Sequence, residues 1–158
     1  MINNNFVGTW KLISWESKTR KGKISHPFGK NPIGYITYTE YQHMSATIMK
    51  KNRPNLKMSL EEMSKGRTLI SRPWLLINGW KYIKAGLRYF QASTNYISYS
   101  GKYEIKGNKV VHHVEVSLIP DWTGTDLERT FEFLSDSRLV LSKPTQDGNH
   151  HYLTWERV

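Results

Sequence analysis

Apolar and polar side chains alternate along most of this chain, and alternation over about four to eight positions marks a strand with one buried face. Residues 6–16 carry the first such pattern, with Gly8-Thr9-Trp10 near its start. A basic turn around Gly22 and a loop over 28–32 lead to Gly34-Tyr35-Ile36-Thr37-Tyr38, and Met44, Ala46 and Ile48 alternate in a third strand. The period then changes. Ser59 and Glu62 have the spacing of a helix capping box, with Gly66 as the stop. Trp80, Ile83, Leu87 and Phe90 recur at three- and four-residue spacing, which predicts an amphipathic helix over about residues 79–92. Strands resume over 95–106 and 109–118, joined by Gly107-Asn108, whose residues accept the positive φ of a two-residue hairpin loop. Segments 125–134, 138–142 and 151–157 complete the set, separated by short polar turns.

About eight strands with short antiparallel connections predict a mainly β protein, an up-and-down barrel closed on itself. Two packed sheets are the competing architecture. The whole chain, 1–158, reads as one domain, with a helical insertion over about 51–94 between strands 3 and 4. Trp74 to Ile77 form an apolar patch in that insertion, which can act as a lid or a plug. A barrel of this size has room for one small ligand.

Register decides which side chains face inward. With Gly107-Asn108 as the loop, Ile105 lies opposite Val110, Tyr103 opposite His112 and Tyr99 opposite Val116. With Leu118 opposite Thr125 in the next hairpin, Val114 faces Arg129 and His112 faces Phe131. One face then collects Tyr99, Tyr103, Ile105, Val110, His112, Val114, Val116, Leu127, Arg129, Phe131 and Phe133, and the other collects Lys102, Glu104, His113, Glu115, Glu128 and Glu132. A one-residue slip would destroy this segregation.

The inner face is apolar except for Arg129, His112 and the two tyrosines. A guanidinium is seldom buried without a partner, and no carboxylate shares that face. Arg129 must find a partner elsewhere, reach water, or meet an anionic or carbonyl-bearing ligand. His112 can orient a polar ligand atom or shuttle a proton, and Tyr99 and Tyr103 offer phenol donors on apolar bodies. Against this stand the ordinary roles of such residues: an inward Arg bonding carbonyls at a barrel end, an inward His satisfied within a core, a tyrosine that is only wall. Polar groups converging in an apolar cavity are nonetheless what ligand pockets look like. His112-His113 is an adjacent pair whose rings point to opposite faces of a strand, so it cannot chelate one metal. No metal site and no cofactor is expected, and no nucleotide or hydrolase motif is present.

Composition narrows the classes further. The formal net charge is +10, but the cations form only two knots, Arg20-Lys21-Lys23 and Lys50-Lys51-Arg53-Lys57, and no nucleic-acid-binding motif accompanies them. A solvated basic surface is preferred to a nucleic-acid partner. The chain has no cysteine, which removes disulfide scaffolds and thiolate chemistry. No apolar run approaches the roughly 20 residues of a membrane span, and the N-terminus lacks a signal-peptide pattern. A cytoplasmic protein is expected; its oligomeric state is left open.

The opening Gly8-Thr9-Trp10-Lys11-Leu12-Ile13-Ser14 is similar to the first strand of lipocalin-like proteins, with their Gly-x-Trp. Together with Tyr99-Ser100-Gly101-Lys102-Tyr103-Glu104, Val110-Val111-His112-His113-Val114-Glu115, Pro120-Asp121-Trp122-x-Gly124, Arg129-x-Phe131 and Leu153-x-Trp155-x-Arg157, it resembles a bacterial and fungal family of lipocalin-like, calycin-type domains. The resemblance implies a barrel with Trp10 near its closed end and Arg157 stacked on that ring by a cation–π contact, both structural. The long helical insertion departs from the usual plan. The functional expectation is a binding module holding a small, largely apolar molecule with a carbonyl or carboxylate, contacted by Arg129, His112, Tyr103, Tyr99 and Phe131. The alternative is an isomerase or cyclase acting on a polyketide-like or other secondary metabolite. In that case Arg129 would stabilise an oxyanion, and His112 or Tyr103 would serve as acid or base.

Overall fold

A computed structural model describes residues 5–59, 61, 62, 64 and 80–158. Its strands are β1 (Gly8–Lys18), β2 (Ile24–Ser25), β3 (Ile33–Tyr38), β4 (His43–Met49), β5 (Tyr96–Lys106), β6 (Lys109–Ser117), β7 (Asp126–Ser135), β8 (Arg138–Pro144) and β9 (His150–Arg157). One antiparallel sheet runs in the order β2-β1-β3-β4-β5-β6-β7-β8-β9, and β9 pairs back onto β1. The eight long strands therefore close into a barrel, and two separate sheets are excluded. Closure leaves only the two-residue β2 as an edge.

Contacts divide the chain into two compact units, residues 1–51 with 96–158, and residues 52–95. The first is the barrel. The second holds helix α1 (Trp80–Ser93), which falls between β4 and β5 rather than between strands 3 and 4. The expected numbering missed β2, whose two residues are too few to show a period. Ser59 and Glu62 form the expected reciprocal cap: Ser59 N–H donates to Glu62 Oε2 at 3.1 Å, and Glu62 N–H to Ser59 Oγ at 3.2 Å. The last carbonyls of α1 accept from Ser93 Oγ, Thr94 Oγ1, Asn95 Nδ2 and Arg53 Nε, which satisfies groups that a helix end leaves free. Trp80, Leu87 and Phe90 are exposed. Gly66 and the Trp74–Ile77 patch lie outside the described residues. Among those described, no helix is long and apolar enough to cross a membrane.

The barrel core follows the alternation. Trp10, Leu12, Ile36, Tyr38, Met44, Ala46, Ile48, Tyr99, Tyr103, Val110, Val114, Leu127, Leu139, Leu141 and Trp155 are all buried. Three irregularities bear on how the strands pair here, and a further register shift lies between Phe133 and Ser135 in the β7–β8 ladder. In β1 the register shifts between Leu12 and Ser14, so Ile13 turns outward and Trp15 and Ser17 take inward positions. In the β5–β6 ladder, Gly101 pairs with Val114 but Ser100 pairs with Val116, leaving Glu115 as the extra residue of a bulge. Tyr99 consequently lies opposite Ser117, not Val116. Val116 is 66 % exposed and joins Ser45, Ser98 and Ser100 around a shallow outer depression of about 300 Å³.

The third difference is in the β6–β7 hairpin. A 3-10 turn at Pro120–Trp122 and the Gly124 N–H to Val114 O bond lengthen the loop. Val110 lies opposite Arg129 and His112 opposite Leu127, not Val114 opposite Arg129 and His112 opposite Phe131. The slide is four residues, an even number, so the side chains paired across β6 and β7 keep their faces while moving along the barrel.

Gly101 makes the bulge possible. A Cβ there would meet His113 O at 2.0 Å and Glu115 N at 2.9 Å, a backbone collision that no rotamer relieves. Gly101→Ala is expected to lower unfolding free energy by about 1–3 kcal/mol in urea melts. Gly107→Asn, at φ 60° in open space, should change it by less than about 0.5 kcal/mol. Equal effects of the two would contradict the close-approach account.

Candidate functional site

Two halves of the barrel interior differ in chemistry. At the end where β1 begins, Phe6 packs edge-on against Tyr38, Phe131 and Phe133 with centroids 4.7–5.1 Å apart. Trp10 Nε1 donates to Phe6 O at 2.9 Å. Arg157 lies over the Trp10 ring at 4.2 Å and donates to the carbonyls of Asn5, Val7 and Asp136. Aromatic rings and one guanidinium, bonded at each of its three nitrogens, fill this end.

Above it sits His112, with no exposed surface. Its Nδ1 is 3.0 Å from Tyr99 Oη on the neighbouring strand, and its Nε2 is 2.9 Å from Tyr38 Oη, three strands away in the sheet. The second bond therefore crosses the barrel interior. Burial, then the Arg129 charge, lowers the His112 pKa to about 3. Burial likewise raises Tyr38 well above its ordinary value, and Tyr99 too. All three groups are neutral at pH 7. A neutral imidazole has one N–H and one bare nitrogen, so one phenol donates to the ring and the other accepts from it. Among the described residues the accepting phenol's own O–H has no acceptor.

Arg129 stands on the same inner wall, half-buried, one position beyond Leu127 on that face. Its Nη1 donates to Glu128 O at 2.7 Å, and among the described residues it forms no ion pair. A guanidinium has five N–H donors, so most of its capacity is open. Its charge is felt by Tyr38, Tyr99 and His112. Trp155 Nε1, buried between β8 and β1, also lacks a hydrogen-bond partner.

The structure thus brings together Arg129, His112 and Tyr99. It separates the other two expected site residues. Tyr103 pairs with His112 in register, but its hydroxyl donates to Thr39 O at 3.0 Å, and its ring packs on Tyr38 at 4.8 Å. Phe131 packs on Phe6 and Phe133. Tyr38 and Trp155 were missed, although the alternation Gly34, Ile36, Tyr38 and Leu153, Trp155 points both inward. His113 faces outward between Asp126 and Glu104, at 2.6 and 3.0 Å.

A closed antiparallel barrel with its first Trp capped by the last Arg and polar groups inside defines a lipocalin-like barrel. The chain belongs to the lipocalin-like domain family, whose model matches residues 7–69 and 71–158. No curated protein matches it. Among solved structures it is similar to a de novo designed fluorescence-activating β-barrel, at 12% identity and TM-score 0.43 with both chains fully covered. It is also similar to a redesigned β-barrel, at 12% identity and TM-score 0.42, over 98% of this chain and 93% of the other. A third likeness is to an uncharacterised protein from Bacteroides eggerthii, at 12% identity and TM-score 0.42, over 96% and 98%.

An imidazole held neutral by the fold takes up a proton only on unfolding once pH drops below its ordinary value of 6.5. Its contribution is complete above that value and falls by about 1.4 kcal/mol per pH unit below it, until the folded pKa is reached. Urea melts between pH 7 and about 4.5 should show wild type losing roughly 2–3 kcal/mol more than His112→Gln. Parallel losses in the two proteins would mean that His112 is protonated in the fold.

Proposed function

We propose that the barrel binds a small, largely apolar molecule bearing a carbonyl or carboxylate. The observation that carries this reading is the sign of the interior's unused hydrogen-bonding capacity. Among the described residues the open groups on the barrel strands are donors: the Arg129 N–H groups, the spare phenol O–H of the Tyr38–His112–Tyr99 chain and the Trp155 N–H; the other buried nitrogen without a partner, His26 Nδ1, lies in the loop before β3. Buried donors without acceptors are costly, about 1–3 kcal/mol each, and a ligand oxygen satisfies them. Apolar walls from Leu141, Leu153, Ile48 and Ile97 suit an apolar body. Trp10 and Arg157 belong, in this reading, to the framework of the closed end.

Between a carrier and an isomerase or cyclase, the environment of His112 favours the carrier. General acid–base catalysis works best with a pKa near the working pH, and both ring nitrogens of His112 are already bonded, with its pKa near 3. The Tyr103 proton is committed to Thr39.

Two measurements test the proposal. Native mass spectrometry of the purified protein should show a bound small molecule that denaturation releases. The fluorophore 6-propionyl-2-dimethylaminonaphthalene, an apolar ketone, should bind wild type with a blue shift, and Arg129→Gln or Tyr99→Phe should weaken that binding by about fivefold to tenfold. Absence of any bound molecule together with no blue shift would refute it.

A further inference from the structure

The β6–β9 registers align more than Arg129. Val110 lies opposite Arg129, and the β7–β8 ladder reaches Thr130 opposite Ser142, so Lys143 falls beside Arg129 one step on. Lys143 is then opposite His151, and His151 opposite Ser17. The row next to it, Phe131, Leu141 and Leu153, belongs to or packs on the core. Strand alternation therefore puts Arg129, Lys143 and His151 on one face, side by side on three consecutive strands, with Arg129 and His151 half-buried and Lys143 exposed. Burial and then the Arg129 charge hold the Lys143 pKa below its ordinary value; burial also lowers His151, opposed by the Asp147 charge and aided by that of Arg129.

Among the described residues no carboxylate on the inner wall balances this row. The strand carboxylates, Glu16, Glu104, Glu115, Asp126, Glu128, Glu132 and Glu156, occupy outward positions. The two that Lys143 and His151 feel are held elsewhere. Glu128 bonds Lys109 Nζ at 2.9 Å, and Asp147, in the β8–β9 turn, accepts from Asn149 and Thr145. His151 Nδ1 accepts from Trp15 Nε1 at 2.8 Å. That fixes the tautomer: the remaining proton sits on Nε2, which has no partner among the described residues. The row presents a guanidinium, an ammonium and an N–H, all donors, next to an apolar row.

We propose that Arg129, Lys143 and His151 are the seat of a carboxylate, and that the ligand is an apolar carboxylic acid bound as its anion, its body against Leu141 and Leu153. This deepens the binding reading above and rests on it. Two adjacent cations without a counter-ion repel each other, and one carboxylate relieves that repulsion while accepting charge-assisted hydrogen bonds. A neutral ketone or ester gains only the donors.

The test is competition against the ketone fluorophore with 2-naphthoate and with its methyl ester, two probes alike in apolar body. Wild type should favour the acid by roughly tenfold or more. Lys143→Gln should reduce that preference below about threefold, and Lys143→Arg should retain it. Circular dichroism confirms that each variant is folded. Equal affinity of acid and ester for wild type would overturn the carboxylate seat while leaving the binding reading intact, as would an unchanged preference in both Lys143→Gln and Arg129→Gln. Failure of the fluorophore and of both probes to bind would instead remove the underlying reading. Inorganic phosphate, an anion without an apolar body, should not compete; displacement by phosphate as effective as by 2-naphthoate would overturn the apolar-acid class.

Discussion

The interior is organised by one imidazole that has no access to water. His112 is buried to the last atom and bonded at both nitrogens. Such a group must be neutral and must have partners of fixed polarity, because an unsatisfied buried nitrogen costs more than a hydrogen bond returns. Tyr38 meets that demand across the barrel and Tyr99 meets it along the neighbouring strand. The two phenols are thereby locked in place, and Tyr38 in turn gives Phe6 and Tyr103 a surface to pack against. The chain of bonds marks the boundary between an aromatic closed end and a half whose polar groups are not all used.

Charge is distributed accordingly. On the outer wall, cations meet anions: Lys109 with Glu128, Lys106 with Glu104, Arg138 with Glu156. Exposed pairs of this kind contribute little to stability, yet they leave the acids outside. Among the described residues, half-buried Arg129 and exposed Lys143 share their face with no carboxylate. The overall +10 says little about partners; the segregation of acids from the inner face is the feature with consequences, because a half-buried cation such as Arg129 interacts more strongly with an incoming anion than a fully solvated one.

Much of this was readable from the chain. Alternation located eight strands and the hairpin at Gly107-Asn108, and facing parity turned Arg129, His112, Tyr99 and Tyr103 inward. Parity survives an even slide, which is why Arg129 kept its face although its partner is Val110 rather than Val114. What could not be read were the interruptions of period. The Glu115 bulge reverses the faces beyond Val114 and turns Val116 outward; its trace is Gly101, a glycine whose need for space shows only when the opposing backbone is in place. The His112–Tyr38 bond was equally out of reach, since it joins residues 74 apart across the barrel, and strand-by-strand pairing sees only neighbours. Lys143 and His151 lay in segments whose alternation was legible, but their alignment with Arg129 needs the registers of β8 and β9.

The most direct measurement is nitrogen-detected NMR of the histidine side chains. It reads the protonation of each ring nitrogen separately. For His112 it should show one protonated and one bare nitrogen, unchanged from pH 7 down to about 4.5. An imidazolium forming with a midpoint near the ordinary 6.5 would contradict the buried, doubly bonded imidazole, and with it the placement of every polar group that depends on it.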